Sequence, residues 1–267
     1  MQKINIDAYA LLEKVRKVSP VIHHLTNWVT IYDCANIVKV VGASPVMAHA
    51  KEEVAEMTDL ALALVLNIGT LDLDFVEAMK IAARHANKKM IPVVLDVCGA
   101  GATTLRDKKS FELLEEVKIN IIKGNASEIA RMADENVVTK GVDSGVVEKN
   151  IVHVAKDLAL QRKCTVVVTG EEDVVTNGDV TYIIKNGHPI MSNVVGTGCM
   201  SASIIGTFAA VESNYVYAST AALVCFEIAA ERAIEIAKGP GTFKENLYDC
   251  LFHLDEKTIN TMQKVFV

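Results

Sequence analysis

The sequence predicts a three-layer α/β/α fold around a central, mostly parallel sheet, and three observations carry that expectation. Short apolar runs with strand character alternate with longer stretches of helical period. The composition is 51% hydrophobic but only 5% aromatic, with much Ala, Val and Ile, as suits parallel strands covered on both faces. No Ser/Pro-rich linker, repeat or low-complexity block divides the 267 residues, so residues 1–267 read as one domain, long enough to bury a full core.

The elements follow in order. The N-terminal stretch MQKINIDAYALLEKV mixes charge with helical periodicity and lacks a signal-peptide pattern. Strands are expected at 62–67, 90–96, 119–123 and 165–169, and helices with one apolar face at 73–85, 108–117, 127–132 and 146–162. Strand then helix, four times over, implies right-handed crossovers and a parallel sheet. Residues 173–175 and 181–184 flank Asn177-Gly178, a strong hairpin signal. Helices are expected over 200–210, 216–238 and 242–265.

Charge and composition exclude several roles. A net charge of −6 and a pI near 5.7 argue against a broad electrostatic footprint for nucleic acid or an anionic membrane. No apolar run approaches the roughly 18 residues of a membrane span, so a cytoplasmic protein is expected. The six cysteines lie far apart, without C-x-x-C or Cys/His pairs at metal-ligand spacing, which points to reduced, mostly packing residues.

Ligands in open parallel sheets bind beyond the carboxyl ends of strands, so the residues after each expected strand carry the chemistry. They are Asn67-Ile-Gly69-Thr70, Asp96 with Cys98-Gly-Ala-Gly-Ala-Thr103, Lys123-Gly-Asn-Ala-Ser-Glu128 and Thr169-Gly170. Gly99-x-Gly101 is a weak partial dinucleotide fingerprint, because Thr104 holds the third glycine position. A P-loop is excluded, since no Gly-Lys dipeptide occurs.

Asn193 to Ser203 differs, because the helix after Gly196-Thr-Gly198 aims its free N–H groups and positive dipole end into a glycine loop. Gly196, Thr197, Gly198 and Cys199 thus form a candidate anion hole, with the Thr197 hydroxyl as an extra donor. A cysteine at a helix start has a reason for a lowered pKa, so Cys199 could take a proton from a substrate hydroxyl, or simply fit beneath the loop.

Read together, these stretches resemble the hydroxyethylthiazole kinases, the thiamine-salvage members of the ribokinase-like superfamily. The resemblance spans nearly the whole chain. It rests on His24-Leu-Thr-Asn27, Val29-Thr30, Ala35-Asn36, Gly42-Ala-Ser-Pro-Val-Met-Ala48, Asp96 with Gly99-x-Gly-Ala-Thr103, Gly124-Asn-Ala-Ser-Glu128 and Gly196-Thr-Gly-Cys199. It implies a ribokinase-like fold and transfer of the ATP γ-phosphate to the alcohol of 4-methyl-5-(2-hydroxyethyl)thiazole. It also implies Mg²⁺ and a homotrimer with active sites between subunits, in which Asn27 and Met47 of one chain meet Cys199 of the next. Asn27, Met47, Gly69 and Gly196 would bind the thiazole, Lys123 and Thr169 the ATP phosphates, and Asp96 and Glu128 the Mg²⁺, directly or through water. Cys199 would be the catalytic residue; relatives with other substrates usually carry aspartate there.

Two departures stand out. Lys123 occupies the usual place of an arginine, keeping the charge but losing the bidentate fork, and Asp96-Val-Cys-Gly-Ala-Gly101 replaces Asp-Pro-Val-Gly-Val-Gly. The alternatives are a pyrimidine alcohol kinase, an ADP/ATP-dependent nucleotide-hydrate dehydratase, or a non-catalytic nucleotide or thiazole sensor. Elsewhere, His23 and His24 point to opposite sides of an extended segment and form structural hydrogen bonds, Trp28 and Tyr32 pack a helix face, and Glu52-Glu53 and Glu115-Glu116 are solvated.

Overall fold

The structure, a computed structural model, describes residues 1–133 and 144–267, without the side chains of 144–150. The elements run β1 (Lys3–Ile4), α1 (Ala8–Val18), β2 (Val21–Leu25), α2 (Ile31–Val40), β3 (Ser44–Val46), α3 (Val54–Leu60), β4 (Ala63–Asn67) and α4 (Leu73–Lys89). Then come β5 (Val93–Asp96), α5 (Thr104–Glu116), β6 (Ile121–Asn125), α6 (Ala126–Ala133), α7 (Ser144–Arg162), β7 (Thr165–Thr169), β8 (Asp173–Thr176) and β9 (Thr181–Ile184). A 3₁₀ turn (Pro189–Asn193) leads into α8 (Thr197–Ala209), α9 (Tyr215–Ile236), α10 (Pro240–Phe252), α11 (Glu256–Met262) and β10 (Val265–Phe266).

The strands form one sheet in the order β1-β10-β9-β8-β7-β6-β5-β4-β2-β3. Pairing is parallel from β3 through β2, β4, β5 and β6 to β7, and antiparallel beyond. Alternate residues feed two cores. Ile22, Val65, Val94, Ile121 and Val167 face α8 and α9, while Leu64, Leu66, Leu95 and Ile122 face the layer holding α4 and α7. Gly206 brings α8 onto the sheet: a Cβ there would collide with Val65 Cγ2.

All four expected strands form, as do the helices between them, and the hairpin closes through Asn177 N–H to Val180 C=O at 3.2 Å with Gly178 at φ +97°. The single helix expected over 242–265 is corrected. Asp255 caps a new helix by accepting from Thr258 N–H at 2.7 Å, past the end of α10 at Phe252, and the last residue of that stretch, Val265, opens strand β10. Strands β1, β2, β3 and β10 were not expected. Two are only two residues long, and β2 interrupts its apolar run with His23 and His24.

Those histidines point to opposite faces, as read from the sequence. His23 contacts Thr58 Oγ1 at 2.9 Å and the Ala48 carbonyl at 2.8 Å, whereas His24 Nδ1 contacts the Ile22 carbonyl at 3.1 Å and its Nε2 has no partner among the described residues. Tyr32 does not pack a helix face but is exposed, and Trp28 precedes α2, its ring against His49 and Phe75. Glu115 and Glu116 are exposed, as expected, and pair with Arg162, and with Lys80 and Arg84, respectively.

Candidate active site

Sheet register assembles the site. Asn67 pairs with Asp96, and Asp96 with Lys123, across β4, β5 and β6. Each lies two residues beyond a side chain of the α8-facing core, Val65, Val94 and Ile121, so all three turn toward α8 at the carboxyl rim. Thr169, two beyond Val167, joins the same face.

The start of α8 meets them there. Gly196 adopts φ +99°, a left-handed conformation, and a Cβ on it would sit 2.8 Å from Thr30 Cγ2, so both backbone and packing require glycine. The first turn closes from Met200 N–H to the Gly196 carbonyl at 2.8 Å, with no side-chain cap. The N–H groups of Thr197, Gly198 and Cys199 therefore have no intrahelical acceptor. The Thr197 hydroxyl is not the free donor expected, because it donates to the Met191 carbonyl at 3.0 Å and lies 3.4 Å from that of Val194.

Lys123 is buried beneath this turn, its Nζ 3.4 Å from Asp96 Oδ2 and 3.2 Å from where a Gly198 Cβ would stand. Burial works against its charge, but Asp96, Glu128 and Cys199 outweigh it and raise its pKa, so it stays an ammonium. Asp96 is pushed up to about 7, burial being the main cause and Lys123 opposing it. Its Oδ2 accepts from Asn67 Nδ2 at 2.9 Å, while its Oδ1 is buried without a partner among the described residues.

Cys199 is the complement. Its pKa is brought down to about 6, first by a hydrogen bond from Cys98, against burial, and further by Thr30, Lys123 and Asn67. The same contact pushes the Cys98 thiol up. Asn67 Nδ2 lies 3.3 Å and Asn27 Nδ2 4.0 Å from Cys199 Sγ. Cys199 is thus set up as a thiolate by its neighbours as well as by its place at the helix start.

Asn27, Gly69, Asp96, Lys123, Gly196, Gly198 and Cys199 come together here. Gly69 has no room for a side chain: a Cβ would collide with Asn27 Nδ2, and its N–H donates to Asn67 Oδ1 at 2.8 Å. Glu128 sits one loop away, both oxygens already accepting backbone N–H groups, Oε1 from Gly99 and Oε2 from Asn125, each at 2.7 Å. With Glu128 N–H donating to Asn125 Oδ1 at 2.9 Å, this is the capping box that starts α6. Met47 lies apart, half-buried just after edge strand β3. The expectation that Asn27 meets Cys199 of another copy is corrected, because the two meet within one chain.

Beside the α8 start runs a cleft of about 750 Å³, from Thr197 and Gly198 past Thr169 and Gly170 to Phe226 and Glu227. Its volume suits a nucleotide-sized ligand.

Sequence reasoning missed three participants. Asn67 and Cys98 stand among the rim residues expected to carry the chemistry, but neither is given a role there. Arg106 gave no signal, yet it ties the loops after β4 and β5 by donating to the carbonyls of Ile68, Gly69 and Cys98 at 2.9, 2.8 and 3.2 Å.

The fold is shared with a ribokinase-like superfamily protein from Enterococcus faecalis, at a TM-score of 0.64 and 13% identity over 94% of this chain and 98% of that one. The chain is therefore an α/β protein of ribokinase-like fold. The Hydroxyethylthiazole kinase family matches residues 12–257. A hydroxyethylthiazole kinase from Methanosarcina mazei is 51% identical over 254 residues, 95% of this chain and 97% of its own. The solved hydroxyethylthiazole kinase structure from Pyrococcus horikoshii OT3 superposes with a TM-score of 0.90 at 42% identity, covering 97% of this chain and 98% of that chain. The chain belongs to the hydroxyethylthiazole kinase family, and it is a kinase.

Proposed function

We propose that the protein, acting as one domain over residues 1–267 in the cytoplasm, transfers the ATP γ-phosphoryl group to the primary alcohol of 4-methyl-5-(2-hydroxyethyl)thiazole for thiamine biosynthesis. The observation that carries this reading is the uncapped α8 start, set against the buried Lys123 ammonium and open to the cleft.

ATP lies along the cleft, its phosphates reaching from Thr169 to Gly198. The N–H groups of residues 197–199 receive the charge that spreads over the γ-phosphoryl oxygens, and Lys123 beneath them supplies a positive field. The thiazole sits between Asn27 and Gly69, with its hydroxyethyl arm at Gly196 and Met47 supplied by a neighbouring subunit. The Cys199 thiolate accepts the alcohol proton at Sγ. Because phosphoryl transfer passes through a loose transition state, that proton removal is a modest contribution beside positioning.

Asp96 fits a divalent cation, having a buried Oδ1 with no partner among the described residues. Glu128, its oxygens engaged by backbone, fits a water-mediated role. Mg²⁺ held there with the ATP phosphates would neutralise charge on the transferring group.

A homotrimer with active sites between subunits is part of the same reading. Trp28, Val29, Tyr32 and Val195 are exposed apolar residues clustered where Thr30 abuts Gly196, and such a patch beside a site fits a subunit contact. Met47, at the sheet edge, would complete a neighbour's thiazole pocket.

The test is ADP release from Mg-ATP with the thiazole alcohol, with a pyrimidine alcohol and with no acceptor. Thiazole-dependent release is expected. Release with the pyrimidine alcohol alone would move the assignment to that substrate, and binding of both ligands without ADP would indicate a sensor.

A further inference from the structure

Two carboxyl groups unused above meet in the wall of the cleft. Asp173 opens β8 and turns toward α9, as does Val175 two residues on, and there it shares the cleft wall with Glu227, close enough for the two carboxyl groups to act on each other; both residues are about 5% exposed. Asp173 Oδ1 accepts from Gly170 N–H at 2.9 Å. Gly187 of the facing loop rests against Glu227.

Buried carboxylates in contact cannot both ionise, so they hold one proton between them unless a cation intervenes. The charged groups around them are committed elsewhere. Lys123, on the Asp173 side, pairs with Asp96 at 3.4 Å, and Lys185 pairs with Glu172 at 2.6 Å. Glu231, one turn along α9 from Glu227, accepts from Gly187 N–H, Asn186 Nδ2 and Lys264 Nζ, and as an anion it adds to the reason for Glu227 to keep the proton. His188 lines the same cleft.

We propose that the Glu227–Asp173 pair is a proton-sharing latch that positions the Thr169–Gly170 turn for the nucleotide phosphates. Glu227 donates its carboxyl hydrogen to Asp173, and Asp173, so oriented, fixes the Gly170 amide. When base removes the shared proton, the two anions repel and the turn loosens. This inference rests on the kinase reading above, and Glu227 is a positioning residue.

The test measures KM for ATP, KM for the thiazole alcohol and kcat from about pH 6 to 10 in the unsubstituted protein, in Glu227→Gln and in Glu227→Ala. Glu227→Gln keeps a donor toward Asp173 without titrating. It is expected to match the unsubstituted protein near neutrality and to lose its alkaline rise in KM for ATP. Glu227→Ala is expected to raise KM for ATP about tenfold, with kcat and KM for the thiazole within about twofold. The proposal is overturned if the unsubstituted protein shows no alkaline rise, if Glu227→Gln retains it, or if folded Glu227→Ala keeps the ordinary KM. Should the alanine variant not fold, the glutamine comparison decides. Failure of the unsubstituted protein to release ADP would sink the kinase reading instead.

Discussion

The side-chain amide of Asn67 lies 3.3 Å from the sulfur of Cys199, on a nitrogen that also donates to Asp96 Oδ2 at 2.9 Å. One group thus holds both the proposed proton acceptor and the proposed cation ligand. Asn67→Leu removes both donations at similar size. The Cys199 thiolate, present above about pH 6, should then form only at higher pH, and kcat should fall about tenfold. The rate of iodoacetamide labelling at Cys199 against pH, followed by mass spectrometry, checks this; an unmoved midpoint would mean that Asn67 does not support the thiolate.

Lys123→Met leaves Asp96 buried without its cation. Lys123 lowers the pKa of Asp96 against burial, so its loss should raise that pKa further above the ordinary aspartate range. A carboxyl whose folded pKa is raised destabilises the fold above its unfolded pKa, and the penalty fades as pH falls and the group takes its proton. The variant should therefore lose about 2–4 kcal/mol at pH 8 and distinctly less at about pH 5.5, with kcat/KM for ATP down about a hundredfold. Denaturant unfolding at both pH values reads the difference, and equal losses would contradict it.

Gly196→Ala places a Cβ at φ +99°, 2.8 Å from Thr30 Cγ2. Strain of about 1–3 kcal/mol should distort the anion hole and lower kcat more than it raises KM for ATP. Steady-state kinetics on the folded variant would show the reverse if the turn merely shaped the nucleotide cleft.

His24 should govern part of the acid limb of stability. Burial pushes its pKa down to about 4, so the unfolded chain binds the extra proton between there and the ordinary value of about 6.5. The contribution is intact above about pH 6.5 and is lost as pH falls toward 4, by about 3 kcal/mol in all. The raised carboxyls, Asp96, Asp173 and Glu227, act in the opposite sense, equally in both proteins, so the contrast between the unsubstituted chain and His24→Asn isolates the histidine. Unfolding free energies that run parallel from pH 7 to about pH 4 would rule it out.

Much of this is legible in the sequence. Four apolar strands and their helices follow from periodicity, and the residues after those strands are the ones at the rim, because parallel strands put all their carboxyl ends on one side. What escaped had physical reasons. Strand β2 hides behind His23 and His24, polar residues buried because their ring nitrogens find protein partners or stay neutral. Glu128 carried a readable signature, Asn125-Ala-Ser-Glu128, but a carboxylate capping a helix and one holding a cation look alike in sequence. The lowered pKa of Cys199 was expected from the helix end; Cys98, Thr30, Lys123 and Asn67 add to it, through contacts that only the fold brings about.

The proposed chemistry is tested most directly by following label from γ-phosphate-labelled ATP into the thiazole alcohol, with the unsubstituted protein and with folded Cys199→Ala. Labelled thiazole phosphate from both is expected, the variant slower by about ten- to a hundredfold, since positioning and the α8 start remain when the thiolate is gone. No labelled alcohol from the unsubstituted protein would contradict the transfer itself, and none from the folded variant would contradict the modest role given to Cys199.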